Sequence, residues 1–146
     1  MLHTMNPKRL VLTILTVFVG VWFTDFLIHG IWLQSDYKAT ASLWRTEAEM
    51  QARFGWLLLG QFLVAVAFVV LWAAGFAEKA TLKCALLYGL LMGLFAKAPA
   101  LITFAVQPFP PSLSMKWFCA GLAQAILMGL LIFLVYKPKS KQPGLQ

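Results

Sequence analysis

Charged side chains are scarce in this chain. Only 12% of its 146 residues are charged and 61% are hydrophobic, whereas about a quarter of the residues of a typical soluble domain carry charge. So few polar residues cannot cover a water-facing surface of ordinary size. The composition therefore excludes an ordinary soluble domain, and the length fits a single integral membrane domain over residues 1–146.

Cysteine and histidine are also rare, with two of each. Cys84 and Cys119 have neither C-x-x-C nor metal-type spacing, and we expect no disulfide because they fall at different depths of the apolar runs. Haem held by two histidines needs both imidazoles inside a bundle, but His3 precedes the first apolar run and leaves only His29. No metal site and no cofactor are expected.

Acidic residues number five against twelve lysines and arginines, so the net charge is +7. A nucleic-acid-binding protein would collect its basic residues on one face or stripe. Here they flank apolar runs instead, as Lys8 and Arg9 do before the first run and Lys137 does after the last. This placement is typical of residues that contact lipid headgroups and excludes nucleic acid as a partner.

Apolar runs are what the sequence has in abundance. About 20 apolar residues cross the hydrocarbon core as a helix, and four runs reach that length, at residues 10–33, 54–76, 81–106 and 113–136. The links between the last three runs are short, which favours antiparallel neighbours. The sequence predicts an all-α fold, a four-helix bundle of antiparallel transmembrane helices.

The connector at residues 34–53 is the only long one. Thr40 is a candidate N-cap for a helix whose apolar side would contain Leu43, Trp44, Met50 and Phe54. The connector also carries several charges. We expect a short interfacial helix between spans 1 and 2, lying at the membrane surface.

Orientation follows from counting lysine and arginine on the two sides. One side has seven: Lys8, Arg9, Lys79, Lys83, Lys137, Lys139 and Lys141. The other has four: Lys38, Arg45, Arg53 and Lys116. Cytoplasmic loops carry the excess of these residues, so we expect both termini in the cytoplasm and the long connector outside.

Small residues recur every four positions in the last two spans. The third span has Ala85, Gly89 and Gly93, and the fourth has Gly121, Ala125 and Gly129. Such stripes let helix backbones approach closely in lipid. They predict a packing seam between these two spans, with a functional groove as the lesser alternative.

Two charged residues, Asp25 and Lys97, lie deep inside the apolar runs, where a charge is costly and calls for a functional hypothesis. At about 1.5 Å per residue their heights agree within about one helical turn. Gln61 falls near the same level, and His29 lies one turn beyond Asp25 on the same helix face. We expect an Asp25–Lys97 pair with Gln61 close by and His29 further outward.

Three interpretations of this polar cluster stay open. The pair is a latch that neutralises two buried charges, a site for a ligand or partner, or a path for protons. Pro99 interrupts the hydrogen bonds of the third span beside Lys97, which is typical of a cavity and equally of an ordinary kinked helix.

The string from Asp25 to Tyr37, DFLIHGIWLQSDY, is followed by Thr40 and by Leu43-Trp44-Arg45. This pattern resembles an uncharacterised group of small bacterial four-helix integral membrane proteins. The resemblance extends over most of the chain, including Gln107-Pro108. It implies the same four-span bundle in a bacterial inner membrane, and it implies no activity or catalytic residue.

Two functions are compatible with these patterns. The first is a non-enzymatic accessory subunit, or a bundle that binds lipid or another small molecule, working with the bilayer and with a larger membrane complex or a homo-oligomer. The alternative is a small oligomeric proton-coupled transporter that uses Asp25 and Lys97. An enzyme is disfavoured, because no nucleophile, metal set or cofactor motif accompanies Asp25 and His29.

Overall fold

Four long helices make up most of the structure, a computed structural model that describes residues 5–136. In chain order the α- and π-helices are α1 (Pro7–Asp25), a π-helix (Phe26–Trp32), α2 (Gln34–Ala39), α3 (Glu47–Ala52), α4 (Phe54–Gly75), α5 (Leu82–Val106) and α6 (Pro111–Val135). Two short 3-10 helices, Ala41–Leu43 and Ala77–Lys79, lie in the α2–α3 and α4–α5 links. No strand occurs in this part of the chain. The continuous run Pro7–Trp32 and helices α4, α5 and α6 are each long and apolar enough to cross a membrane.

The ends of the long helices follow local chemistry. The Asn6 side chain accepts a hydrogen bond from the backbone nitrogen of Arg9 at 3.2 Å, and Pro7 occupies the first turn of α1. Thr81 caps α5 in the same way through Cys84 N at 3.1 Å. These caps satisfy backbone N–H groups that have no partner inside the helix. Pro99 lies inside α5, which continues to Val106.

The first long helix changes its pitch over its last seven residues. At Asp25 the α-helix gives way to a π-helix, which continues to Trp32. A π-helix has i→i+5 hydrogen bonds and is rare, and it is found mostly as short insertions inside α-helices, often at functional sites. Asp25 is the last residue of the α-helical part, and His29 lies in the middle of the π-helical part.

The predicted helix with Thr40 as its N-cap is not formed, and this detail of the prediction is wrong. Thr40 ends α2 instead, where its hydroxyl donates to the carbonyl of Asp36 at 2.8 Å and accepts from the indole of Trp44 at 2.9 Å. The Thr40 side chain makes no capping hydrogen bond to the short 3-10 helix that follows it, Ala41–Leu43, and this helix ends before Trp44. The backbone at Trp44 is extended.

The connector's second helix, α3, begins after Thr46. The Thr46 hydroxyl accepts from the Glu49 backbone nitrogen, and the Glu49 carboxylate accepts from the Thr46 backbone nitrogen at 3.0 Å. This reciprocal capping box satisfies two backbone donors. The short helix expected between the first two spans is therefore α3, displaced by six residues from the predicted N-cap.

The closest helix packing is between α5 and α6. A Cβ atom added to Gly89 would lie 2.7 Å from the Ala125 carbonyl oxygen, and one added to Gly129 would lie 2.6 Å from the Ala85 carbonyl oxygen. Rising numbers in α5 meet falling numbers in α6, so these two helices run in opposite directions. The two small-residue stripes lie against each other.

Helices α4 and α5 pack tightly against each other at one end and loosely at the other. Near the link that joins them, Tyr88 packs against Trp72 with ring centroids 5.3 Å apart, and its hydroxyl donates to the Phe68 carbonyl. Trp72 is fully buried there. Over their whole length, however, α4 and α5 are not among the closely packed pairs of the described helices, which are α5 with α6, α1 with α4, and α1 with α6.

The far halves of α4 and α5 pack on different neighbours. Helix α4 packs on α1 through the rings of Phe62 and Phe18, whose centroids are 5.8 Å apart. Helix α5 packs on α6, where the Lys97 side chain lies against Gly121. A crevice therefore separates α4 from α5 at the level of the predicted polar cluster.

Candidate functional site

Asp25 lies at the centre of a hydrogen-bond network between three helices. Its Oδ1 accepts from Gln124 Nε2 of α6 at 2.7 Å, and its Oδ2 accepts from Gln61 Nε2 of α4. Gln124 Nε2 also lies 2.7 Å from the Thr24 hydroxyl. Two neutral amides thus stabilise the carboxylate, since a buried charge needs hydrogen-bond donors in place of water.

Gln124 was missed by the sequence analysis, which considered the ionisable residues and Gln61. Its signal was the same as that of Gln61, a polar side chain within an apolar run. Depth along a helix can be read from the sequence, but the rotation of α6 that turns Gln124 toward Asp25 depends on how α6 packs against α5 and α1.

The orientation of the Gln61 amide is determined by its partner. Its nitrogen must face Asp25, because the opposite orientation would place the amide oxygen against a carboxylate oxygen. The Gln61 Oε1 atom is therefore turned away from Asp25, where it is buried and has no hydrogen-bond partner. A buried acceptor without a donor is costly, and this penalty offsets part of the stabilisation that the Gln61–Asp25 bond provides.

Lys97 does not form the expected ion pair. Within residues 5–136, no lysine or arginine nitrogen lies within 4.0 Å of the Asp25 carboxylate. The aliphatic stem of Lys97 lies over Gly121, where an added Cβ would be 2.3 Å from its Cε. The prediction paired two charges by depth alone, whereas the donors to the Asp25 carboxylate are the amides of Gln61 and Gln124.

His29 contacts a residue of the connector. Its Nδ1 lies 2.5 Å from the Tyr37 hydroxyl, which also accepts a hydrogen bond from the indole of Trp117 at 2.8 Å. Because an indole N–H only donates, the arrangement that satisfies all three groups has Tyr37 donating to His29 Nδ1. The His29 proton then lies on Nε2, which faces Asp25 Oδ1 at 4.0 Å.

Tyr37 keeps its proton at neutral pH, as this donation requires. Burial raises the pKa of its hydroxyl, the hydrogen bond from Trp117 lowers it, and the carboxylates of Asp25 and Asp36 raise it further. A chain of polar groups thus runs from Trp117 through Tyr37 and His29 to Asp25, with one 4.0 Å gap at its inner end. The sequence did not indicate that Tyr37 and Trp117 belong to this chain of hydrogen bonds.

Two cavities meet at Lys97 and Gln124. The outer one, of about 280 Å³, is lined by His29 and Trp117. The inner one, of about 250 Å³, has Asp25 and Gln61 at its polar end. The rest of the inner cavity is mostly apolar and is lined by residues that include Val17, Val64, Phe68, Met92 and Met128.

The connector covers the end of this region that lies beside His29 and Trp117. Lys116 donates to both carboxylate oxygens of Asp36, at 2.8 and 2.9 Å, which ties α2 to α6. Trp44 stacks on Phe109 with ring centroids 5.3 Å apart. Lys116 Nζ also lies 5.9 Å from the ring centroid of Trp32. These contacts fix the connector over the amino end of α6.

Metal ligands do not cluster in the described part of the chain, where no group of three or more histidine, cysteine or acidic side chains could hold an ion. Cys84 and Cys119 are free thiols. His3 and the three lysines of the carboxyl tail lie outside the described residues. The candidate site therefore consists of hydrogen-bonding and charged side chains beside two cavities.

Comparison with known protein families, with curated proteins and with solved structures finds no match to this chain.

Proposed function

We propose that this chain is a multi-pass membrane protein that binds an amphipathic small molecule in its inner cavity. Large apolar side chains point outward from the long helices, such as Phe95 at 80% exposure and Trp56 at 75%. On a soluble protein such surfaces would drive aggregation. They are the expected lipid-facing surface of an antiparallel four-helix bundle.

The orientation and location belong to the same proposal. The excess of lysine and arginine supports cytoplasmic termini and a connector on the outer side. The resemblance to small bacterial membrane proteins supports the bacterial inner membrane. In this orientation Asp25 lies in the outer half of the bilayer, and the connector covers the outer ends of the first helix and α6.

One observation carries the binding function: the inner cavity is lined by Asp25, Gln61, Lys97 and Gln124 at one end and by apolar side chains over the remainder. A site with a few polar groups at one end and apolar walls binds amphipathic molecules. No nucleophile or metal set accompanies it, which supports a non-enzymatic role. Such a bundle would serve as a carrier or as an accessory subunit of a larger membrane complex.

Purification in a mild detergent tests this function. Mass spectrometry of the wild-type protein should detect a co-purifying amphiphile. Gly60→Trp should remove it, because Gly60 lines the inner cavity and a Cβ added there meets no atom within 4 Å. Gly55→Trp is the matched control, since Gly55 is equally open but does not line the cavity. Retention of the amphiphile by Gly60→Trp would contradict the proposal.

A second candidate, proton-coupled transport by an oligomer, is favoured by the polar chain from Trp117 to Asp25. A water molecule in the 4.0 Å gap would complete it. Proton uptake into liposomes containing the protein, measured with a pH-sensitive dye, should then be abolished by Asp25→Asn. A flux no greater than that of protein-free liposomes would eliminate this candidate.

A further inference from the structure

Two opposite charges line the inner cavity. Among the described residues around it, Asp25 and Lys97 are the two that carry charge, and His29 lines the outer cavity instead. No ion pair joins Asp25 to Lys97, whose side-chain nitrogen lies more than 4.0 Å from the carboxylate. A charge inside a membrane is costly without a partner of opposite sign. Both side chains are therefore stabilised by a ligand that brings such a partner to each.

Both side chains also have hydrogen-bonding capacity for a ligand. A carboxylate has about four lone-pair sites, and each Asp25 oxygen accepts one amide bond, from Gln124 or from Gln61. Each oxygen can therefore accept a further donor. The Lys97 ammonium has N–H donors and no acceptor. A ligand head at this place meets an acceptor on one side and a donor on the other.

The head of the ligand must carry charges of both signs. A cationic head is attracted by Asp25 and repelled by Lys97, and an anionic head is attracted by Lys97 and repelled by Asp25. Away from water, either head leaves one like-charged neighbour uncompensated. A neutral alcohol forms hydrogen bonds but compensates neither charge. A zwitterion compensates both, with its cation at Asp25 and its anion at Lys97.

The chemistry of the two partners restricts the zwitterion further. A carboxylate needs N–H donors, which a primary ammonium has and a quaternary ammonium lacks. Lysine binds phosphate as a point charge. Because Asp25 and Lys97 are more than 4.0 Å apart, the two charges of the head must be separated as well. An ammonium and a phosphate joined by a two-carbon link meet these requirements, which describe a phosphoethanolamine head.

The apolar remainder of the cavity extends away from the two charges. Val17 and Asp25 are eight residues apart on one helix and both line the cavity, which gives a depth of about 12 Å at about 1.5 Å per residue. Gly60 and Val64 are exposed at the crevice between α4 and α5. An acyl chain longer than the cavity can therefore pass through this crevice into the bilayer.

We propose that the inner cavity binds the head and one acyl chain of a phosphoethanolamine lipid, whose ammonium contacts Asp25 and whose phosphate contacts Lys97. This inference rests on the proposed function and adds the ligand class to it. The lipid enters from the bilayer through the crevice between α4 and α5. Its chain lies along Val64, Met92 and Met128.

The test compares head groups on one C16 chain. Wild-type protein in phosphatidylcholine nanodiscs is incubated with tritiated palmitoyl lysophosphatidylethanolamine, and protein-free nanodiscs give the background. The unlabelled competitors are the same lipid, lysophosphatidylcholine, lysophosphatidylglycerol, monopalmitoylglycerol and hexadecylamine. The ethanolamine lipid should compete at least about tenfold better than the others, because each of these lacks the N–H donor for Asp25, the phosphate for Lys97, or both.

Removing one charge of the protein should change which head binds best. Lys97→Met retains an apolar stem over Gly121 and leaves Asp25, so hexadecylamine should compete at least as well as the ethanolamine lipid. Asp25→Asn leaves Lys97, so lysophosphatidylglycerol should compete at least as well as the ethanolamine lipid. Each variant should bind the ethanolamine lipid about 10- to 100-fold more weakly, the loss expected for one hydrogen bond to a charged group.

Matched variants remove the same charges elsewhere. Lys83→Met changes a lysine that does not line the cavity, and Glu47→Gln changes an exposed glutamate of α3. Both should leave the order of the competitors unchanged. Gly60→Trp should abolish binding of every amphiphile, and Gly55→Trp should not.

Each outcome discriminates between the two proposals. Competition by another head as strong as that of the ethanolamine lipid, or an unchanged order in folded Lys97→Met and Asp25→Asn proteins, would overturn the zwitterionic head while leaving an amphiphile site. The competition series uses only wild-type protein and so remains decisive if these variants fail to fold. Binding of no amphiphile at all, or binding unaffected by Gly60→Trp, would overturn the site itself.

Discussion

Gln124 Nε2 donates to Asp25 Oδ1 at 2.7 Å, joining two side chains 99 positions apart in the chain. This bond links α6 to the first helix at the point where its α-helical part becomes a π-helix. Together with Gln61 it supplies the donors that a carboxylate needs when water is excluded. The polar network thus joins the helices and forms the polar end of the proposed binding cavity.

Removing Gln124 should destabilise the protein. Gln124→Leu leaves Asp25 Oδ1 without its amide donor, so we expect a loss of about 1–3 kcal/mol in the free energy of unfolding. Gln51→Leu, on the exposed surface of α3, is the control and should be neutral. Unfolding in mixed detergent micelles, followed by circular dichroism, measures both. Equal stabilities would show that the Asp25–Gln124 bond contributes nothing.

Replacing a glycine at the α5–α6 seam should lower stability far more than replacing a glycine in open space. Gly89→Ala would place a Cβ 2.7 Å from backbone atoms of Ala125 and Ile126, so the helices must separate. We expect this overpacking to cost about 1–3 kcal/mol. Gly75→Ala meets no atom within 4 Å and should leave the thermal midpoint unchanged or raise it slightly. A Gly89→Ala midpoint equal to that of wild type would refute this packing.

The hydrogen-bond chain makes a specific prediction about the tautomer of His29. With Tyr37 donating to Nδ1, the neutral ring carries its proton on Nε2. Nitrogen-15 NMR of histidine-labelled protein distinguishes the two tautomers directly. Tyr37→Phe should change the Nδ1 signal, whereas Tyr136→Phe, far from His29 in the sequence and at the other end of α6 from Trp117, should not. A proton found on His29 Nδ1 in the wild type would contradict this chain of hydrogen bonds.

The capping box of α3 should make the connector sensitive to acid. The Thr46 hydroxyl and then its backbone N–H donate to the Glu49 carboxylate and hold the pKa of that carboxyl below its ordinary value. A lowered pKa in the folded state means that this contribution is present above the unfolded pKa and is lost as pH falls through the folded one.

Carbon-13 NMR titration of the Glu49 carboxyl measures that pKa. We expect Thr46→Ala to raise it toward the ordinary value for glutamate, because the hydroxyl donor is gone, and Thr46→Ser to leave it lowered. A Thr46→Ala titration that coincides with that of the wild type would show that the hydroxyl has no part in the capping box.

The membrane topology can be tested by labelling single cysteines. In a protein with Cys84→Ala and Cys119→Ala, we expect a membrane-impermeant maleimide added outside intact cells to modify Ser42→Cys, which is exposed in the connector. Ser140→Cys should react only after the cells are opened. Reaction of Ser42→Cys only after opening would reverse the proposed orientation.

Sequence reasoning located the long helices and most polar residues of the site, because hydropathy and depth depend only on position along the chain. Asp25, Gln61 and Lys97 were predicted at one level, and all three line the inner cavity. It did not find that Gln124, and not Lys97, contacts Asp25. Which residue contacts Asp25 depends on the rotation of α6 about its axis. That rotation is determined by the packing of Gly89 and Gly129 between α5 and α6.

The connector shows a second reason why prediction from the sequence was incomplete. Thr40 and Thr46 are both plausible N-caps, but only Thr46 has a glutamate three residues later to complete a capping box. Tyr37 and Trp117 come together because the connector folds back over α6, a long-range contact that local pattern does not contain.

The central claim, that an amphiphile occupies the inner cavity, is tested most directly by photo-crosslinking. A lysophosphatidylethanolamine with a diazirine on its chain, irradiated with the protein in nanodiscs, should label Val64, Met92 and Met128, and an excess of the same lipid without the diazirine should suppress this labelling. Labelling confined to lipid-facing residues such as Phe95, unaffected by competitor, would contradict the claim.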